Sequence, residues 1–320
     1  MKHTVAFIAA GVLSLGLGVS SGSNVAQASQ SISLATGGTG GVYFPLGGAM
    51  AEAWSQQIPD LRVTAESTGA SVVNVRIVEQ GEAELAMVQN DIANYAFHAT
   101  EMFADDSPKE SNLGMALLYP EVIQIVTLAD SGIESVNDLA GARVAVGAPG
   151  SGTEANARQI LMAHDIAYAD ITEHFLPFGE AVDAIRDGRI DAAFLTAGIP
   201  TAAVVDLGAT HDVSIVPVDP DMAEEVSEEW PFYAGFTIPG GTYSGIEDDI
   251  PTVTVLAMLV ANADLDADLV EQMLEVLFAE ETLERLCDTH ARGCDISLED
   301  AAEAMPVPLH PGAEAFFERQ

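Results

Sequence analysis

The chain has 320 residues and carries 49 Asp and Glu against 11 Lys and Arg, a formal charge of −38. That balance excludes nucleic-acid binding, because phosphate contacts need a positive footprint, and it equally excludes attraction to an anionic lipid surface. The length exceeds the usual size of one hydrophobic core, so two lobes are the default expectation.

The chain opens with Lys2 and His3, an apolar run over 5–19 and a small-x-small site at Ala26 and Ala28. This reads as a signal peptide, residues 1–28, cleaved after Ala28 to release the protein into the periplasm. The run is too short to span a bilayer; an uncleaved anchor is the alternative. Cleavage would remove one of the 11 basic residues and none of the 49 acidic ones, taking the charge from −38 to −39. Lysine occurs only at Lys2 and Lys109, and the acids are spread along the chain, as expected of a halophilic, self-repelling surface adapted to salty surroundings.

A strand is expected over 32–35, followed by the glycine-rich "ATGGTGGVYFPLGG" and a helix over 43–54. A strand over 62–66, a helix over 71–80, a strand over 84–88 and a helix starting at Asp91 continue the alternation of a mainly parallel sheet. A long strand over 119–132 carries the chain onward. The plan then repeats, with a strand over 143–147, the turn "PGSGT", helices over 154–164 and 180–187, Gly188 as a stop, and a strand over 190–195. The Gly/Pro-marked "FTIPGGTY" at 236–243 reads as the return, leading to a strand over 252–260. An amphipathic helix over 266–279 then buries Leu269, Val270, Met273, Leu274, Leu277 and Phe278. Internally, "VEQGEAELAMV" at 78–88 aligns with "IRDGRIDAAFL" at 185–195, and "GGTGGV" at 37–42 with "APGSGT" at 148–153. Two similar α/β units imply two lobes with a cleft between them.

Cys287 and Cys294 are the only cysteines. In an oxidising compartment they suggest a disulfide closing "CDTHARGC". On one straight helix, positions seven apart lie roughly 10 Å from each other, too far to bridge, so the bond requires a turn that Gly293 can provide. The metal alternative, with His290 between the cysteines, has poor ligand spacing. No metal or other cofactor is expected.

The glycine loops do not read as nucleotide sites. Gly40 and Gly41 are followed by Val42, Tyr43, Phe44 and Pro45, not by the Lys-Ser/Thr of a phosphate loop, and no acid lies where a ribose would need one. What remains is a strand–loop–helix turn offering backbone N–H groups to one small anionic group such as a carboxylate. Thr39 adds a hydroxyl and Tyr43 a flat wall with a polar tip. Further candidates are "STGAS" at 67–71 with Ser67, the strand end Gln89, Asn90 and Asp91, and the opposite loop with Ser151, Gly152 and Thr153. Asp91 reads as a helix N-cap or as an acceptor for a ligand amine. Arg76, Arg158 and Arg186 are candidates to assist. An enzyme is not expected. Ser151 lies in Gly-Ser-Gly rather than in a Gly-x-Ser-x-Gly elbow, and the histidines have no ligand spacing.

Across the whole mature chain, the ordered segments "GGTGGVYFPLGGAMAEAW", "ESTGASVVNVRIVEQGEAELAMVQND", "LYPEVIQIVTLADSGIESVNDLAGARVAVGAPGSGT", "IPGGTYSGIEDDIPTVTVLAMLV" and "PLHPGAEAFFE" resemble one family. It is the extracytoplasmic solute-binding proteins of the TAXI subfamily of TRAP transporters. The resemblance implies an α/β, two-lobed periplasmic-binding-protein-like fold (type II), each lobe a mainly parallel sheet flanked by helices. Lobe I is expected over 29–129 plus 245–320 and lobe II over 130–244, with a hinged cleft. It implies capture of glutamate, glutamine or a related dicarboxylate such as 2-oxoglutarate, and delivery to a sodium-coupled permease whose subunits are often fused. A monomer is expected. A same-fold sensor docking on a membrane receptor is the alternative. Ala70 departs from the family's more frequent Gly after "STG", and His310 reads as structural.

Overall fold

The computed structural model describes residues 30–320 together with Met1; the expected leader and its cleavage site lie outside the described residues. The first half runs β1 (Gln30–Ala35), α1 (Tyr43–Gln57), β2 (Leu61–Glu66), α2 (Ser71–Glu79), β3 (Leu85–Gln89), α3 (Asn90–His98) and a long β4 (Asn112–Leu128). The second comprises β5 (Arg143–Ala145), α4 (Gly152–Ala163), β6 (Thr172–His174), α5 (Phe178–Arg186), β7 (Ala192–Ala197), α6 (Ala202–Gly208), β8 (Val213–Val216), α7 (Pro220–Glu229) and β9 (Ala234–Ile238). β10 (Ile250–Asn262), α8 (Ala267–Leu277), α9 (Glu280–Thr289) and α10 (Pro311–Phe317) complete the chain.

The strands lie in the order β2-β1-β3-β10-β4-β7-β5-β6, with β8 on β4 and β9 on β10. β1 pairs in parallel with β2 and β3, and β5 in parallel with β6 and β7. Both halves therefore place their first strand in the middle, so the internal repeat seen in the sequence is also a repeat of topology. All five residues of β3 and all six of β7 are buried, as for parallel strands covered by helices on both faces. The aligned glycines Gly81 (φ 68) and Gly188 (φ 65) end α2 and α5 in the same way, by entering the left-handed region. At each, the next residue's N–H closes a six-residue loop, Glu82 to the Ile77 carbonyl and Arg189 to that of Ala184.

The sheet as a whole is mixed, because antiparallel strands join the parallel sets. β4 and β10 pair antiparallel along their length, from Asn112 opposite Asn262 to Val122 opposite Thr254. Residues 257–261 of β10 lie against β3, whereas 250–254 lie against β9; residues 122–127 of β4 lie against β7. These two strands thus tie the halves together. The return expected at 236–243 covers the end of β9 and the turn after it; β10 first pairs with β9 and then carries the chain back to β3. α8 packs on the first half, where the Trp54 indole N–H donates to the Met273 carbonyl at 2.8 Å and Leu46, Met50 and Trp54 share a core with Leu269, Met273 and Leu277.

The Cys287–Cys294 disulfide is present, with a Cα–Cα distance of 4.3 Å. α9 stops at Thr289 and a short 3-10 turn over Ala291–Asp295 folds Cys294 back. Gly293 makes this possible, because a Cβ there would overlap the Leu286 carbonyl of α9. His310 is structural: its Nδ1 accepts from the Gly312 N–H and caps α10.

Candidate ligand-binding site

Every parallel strand ends at one crevice between the halves, where open α/β sheets collect ligands. The cavity there has a volume of ≈ 800 Å³. The first residues of α1, α2, α4, α5 and α6 (Tyr43, Ser71, Gly152, Phe178 and Ala202) all border it, so five helix N-termini face one space. Each contributes unpaired backbone N–H groups and the positive end of its dipole.

The loop after β1 is held by side chains that bind its carbonyls. Asn74 Nδ2 donates to the Thr36 carbonyl at 2.6 Å and Ser67 Oγ to that of Gly37 at 2.9 Å. With these carbonyls occupied, the N–H groups of Gly38, Thr39, Gly40 and Val42 donate to no other group among the described residues. The opposite loop is shaped by Ser151, whose Oγ accepts from the Glu154 N–H at 3.1 Å and caps α4.

Of the residues singled out in the sequence, Thr39, Gly40, Gly41, Tyr43, Ser67 and Gln89 border the cavity from one half, and Ser151, Gly152 and Thr153 from the other. Asn90 and Asp91 do not reach it. Once α3 begins, each residue turns by about 100° around the helix, so only Gln89 faces across. Asn90 Oδ1 instead accepts from the Asp91 and Leu256 N–H groups, both at 3.0 Å, tying α3 to β10. Asp91 is neither the N-cap, which is Gln89, nor a wall of the cavity; it is fully buried behind it. Its Oδ2 accepts from Asn156 Nδ2 at 3.1 Å, while Oδ1 has no partner. Burial pushes this carboxyl up to about 7, against the lowering effect of the Ile92 N–H and the Asn156 amide.

None of the candidate arginines borders the cavity. Arg76 pairs with Asp106, Arg158 with Glu154, and Arg186 with Asp183 and Asp206 at the rim. Among the described residues the lining contains no Lys, Arg or His; its charged members are Glu121, Glu180, Asp183 and Asp206.

The halves touch across the crevice. The Val73 N–H donates to the Gly150 carbonyl at 3.0 Å, the Ala203 N–H to that of Gly40 at 3.3 Å, and Gln89 Nε2 to Asn156 Oδ1 at 3.1 Å. Gln89 also lies directly over Gly152, in the space a Cβ would fill. Behind this contact Asn156, Gln159, Tyr233 and Tyr95 form a buried hydrogen-bonded cluster between α3 and α4.

Glu121, Phe178 and Thr196 border the cavity without having been singled out. Glu121 left one signal, a single acid inside the apolar run of β4. Phe178 and Thr196 left none, because nothing local marks residues that meet the first loop only across the crevice.

Residues 34–320 match the NMT1-like family. The chain belongs to that family. Among solved structures, this NMT1-like chain is similar to the alkanesulfonate-binding protein SsuA from Xanthomonas axonopodis pv. citri bound to MOPS (14% identity, 91% of this chain and 84% of that one, TM-score 0.51). It is also similar to a periplasmic transporter (14% identity, 90% and 92% covered, TM-score 0.55). A third is PhnD1 from Prochlorococcus marinus in complex with methylphosphonate (10% identity, 80% and 89% covered, TM-score 0.52). At these identities the likeness concerns the fold, which is that of periplasmic binding proteins.

Proposed function

We propose that this chain is an extracytoplasmic solute-binding protein of a TAXI-type TRAP transporter. In this reading it captures a small carboxylate, glutamate, glutamine or a related dicarboxylate such as 2-oxoglutarate, and presents it to a sodium-coupled membrane permease. The observation that carries the reading is one cavity bordered by unpaired backbone N–H groups at helix N-termini from both halves. Such a cradle suits a single small anion and needs no basic side chain. Lobe I comprises 29–129 plus 245–320 and lobe II 130–244, hinged on β4 and β10. Ligand docks on one lobe and the second lobe adds its own donors, so the closed form is stabilised by differential affinity. Removal of residues 1–28 and residence in the periplasm as a monomer complete the reading.

Binding rather than hydrolysis is favoured because Ser151 caps a helix and no histidine borders the cavity among the described residues. Isothermal titration with acidic amino acids and C4–C6 dicarboxylates should show one-to-one binding. Sugars or phosphate binding in their place would overturn the ligand class.

A further inference from the structure

The cavity has an acceptor as well as donors. Glu121 lies on β4 at the junction of the halves, opposite Val255 of β10, and is 3% exposed while bordering the cavity. The Tyr43 hydroxyl at the head of α1 donates to its Oε2 at 2.6 Å. Its other oxygen receives no hydrogen bond from any described residue, yet it is not among the sealed, unpartnered atoms of the interior, so it opens onto the cavity. No cation borders the cavity among the described residues. The rim acids Asp183 and Asp206 are already paired with Arg186.

We propose that Glu121 is the specificity-determining residue of this site and selects a ligand that carries an ammonium group besides its carboxylate. The inference rests on the small-carboxylate reading above and divides its candidates, placing amino acids ahead of the keto and dicarboxylic acids of the same skeleton. The ligand carboxylate takes the loop N–H groups. The ammonium takes the free Glu121 oxygen, so two opposite charges enter together and the carboxylate of Glu121 gains the counter-charge that the chain does not supply. A keto acid of the same skeleton would set a carbonyl oxygen, itself an acceptor, against this oxygen and would fit only beside a neutral, donating Glu121.

Burial drives the Glu121 carboxyl well above the usual carboxylate range; the Tyr43 hydrogen bond opposes this and Asp91 adds to it, so the ionised form needs a counter-charge, which a ligand ammonium brings and a keto acid does not. The titratable groups facing it are Tyr43 from α1, Asp91 from α3 and Tyr119 on its own strand, so nothing cationic competes with a ligand ammonium. β10 contributes Thr254, whose hydroxyl donates to the Glu121 backbone carbonyl and leaves the carboxyl free.

The test is the ratio of affinities for L-glutamate and 2-oxoglutarate, which differ at the amino group, measured by isothermal titration between pH 6 and 8.5. L-Glutamate should bind at least about tenfold tighter at pH 8, the range of a charge-assisted hydrogen bond. The ratio should shrink as pH falls, because only the keto acid gains from protonation of Glu121. Taking a ratio cancels proton uptake common to both ligands, including any at Asp91. Glu121→Gln, which keeps size but not charge, should bring the ratio close to one at every pH, mainly by weakening glutamate. Equal or tighter 2-oxoglutarate binding by the native protein at pH 8 would overturn the proposal without recourse to a variant, as would an unchanged ratio in Glu121→Gln. If neither ligand nor any other small acid binds, the carboxylate-capture reading itself falls, a different result from a reversed preference.

Discussion

Gly152→Ala isolates the contact on which closure depends. The residue begins α4, its backbone is not in the left-handed region, and Ala is the better helix former, so the isolated half should tolerate the change. Across the crevice the outcome differs. The added methyl would overlap the Gln89 side-chain amide, with its Nε2 at 3.1 Å and the rest of the group closer still. Gln89 is a flexible side chain and would yield, but yielding breaks its hydrogen bond to Asn156. Inserting one methyl into such a packed contact costs about 1–3 kcal/mol. That cost falls on the closed form alone, so affinity should drop by about 5- to 150-fold. The melting temperature without ligand should stay level or rise slightly. Titration calorimetry gives the affinity, and small-angle scattering gives the compaction on adding ligand. Gln89→Ala removes the obstruction, so the double variant should bind better than the sum of the single losses, with a coupling of about 1 kcal/mol or more. Native affinity in Gly152→Ala, or strict additivity in the cycle, would refute this account of closure.

Asp91 makes stability pH-dependent. Its carboxyl titrates near 7 in the folded chain against about 4 when unfolded. The folded state therefore holds a proton that the unfolded state has released between these values, and the stability Asp91 contributes should fall as pH rises from about 4 to 7 and then level off. Thermal melts from pH 4 to 8 should show this decline, and Asp91→Asn should make it shallower, the remainder coming from Glu121, whose carboxyl is raised in the same direction; an identical profile in the variant would remove Asp91 as a source. Ala70 sits at φ 70, ψ −152, a region that suits glycine, so Ala70→Gly should relieve strain and raise the melting temperature by roughly 2 °C, read by calorimetry. The acidic surface, at a formal −38, should melt higher as salt increases, and no change between low and molar salt would count against self-repulsion.

Much of the architecture was legible because its signals are local. The aligned Gly81 and Gly188 mark helix ends by backbone conformation, and the aligned loops at 37–42 and 148–153 mark helix starts, so both α/β units could be read without tertiary information. Gly and Pro at 236–243 punctuate a hairpin as readily as a crossover, so by themselves they do not mark where the chain returns. The better signal was β10 itself, a 13-residue strand that, like the 17-residue β4, is longer than one half requires. The site was legible where it consists of backbone at strand ends. It was not legible where a turn of about 100° decides whether a side chain faces the crevice. That rotation separates Gln89 from Asn90 and Asp91, and no composition rule records it.

The shortage of cations in the crevice and on the surface has one origin. Among the described residues Lys109 and every arginine except Arg62 are already engaged in ion pairs. In a chain this acidic nearly every described basic side chain is already held by a carboxylate and none lines the cavity, so charge recognition falls to groups that do not depend on composition, the N–H donors and dipoles of helix starts. These act at contact distance. The repulsion of the surface acids is screened over about 8 Å at physiological ionic strength and about 3 Å at 1 M salt. Inside the crevice the short-range donors therefore dominate, and the more so the saltier the medium. The same reasoning gives Glu121 its weight. Where no fixed cation offsets it, one buried carboxyl beside the donors decides whether the bound anion must bring a positive charge of its own.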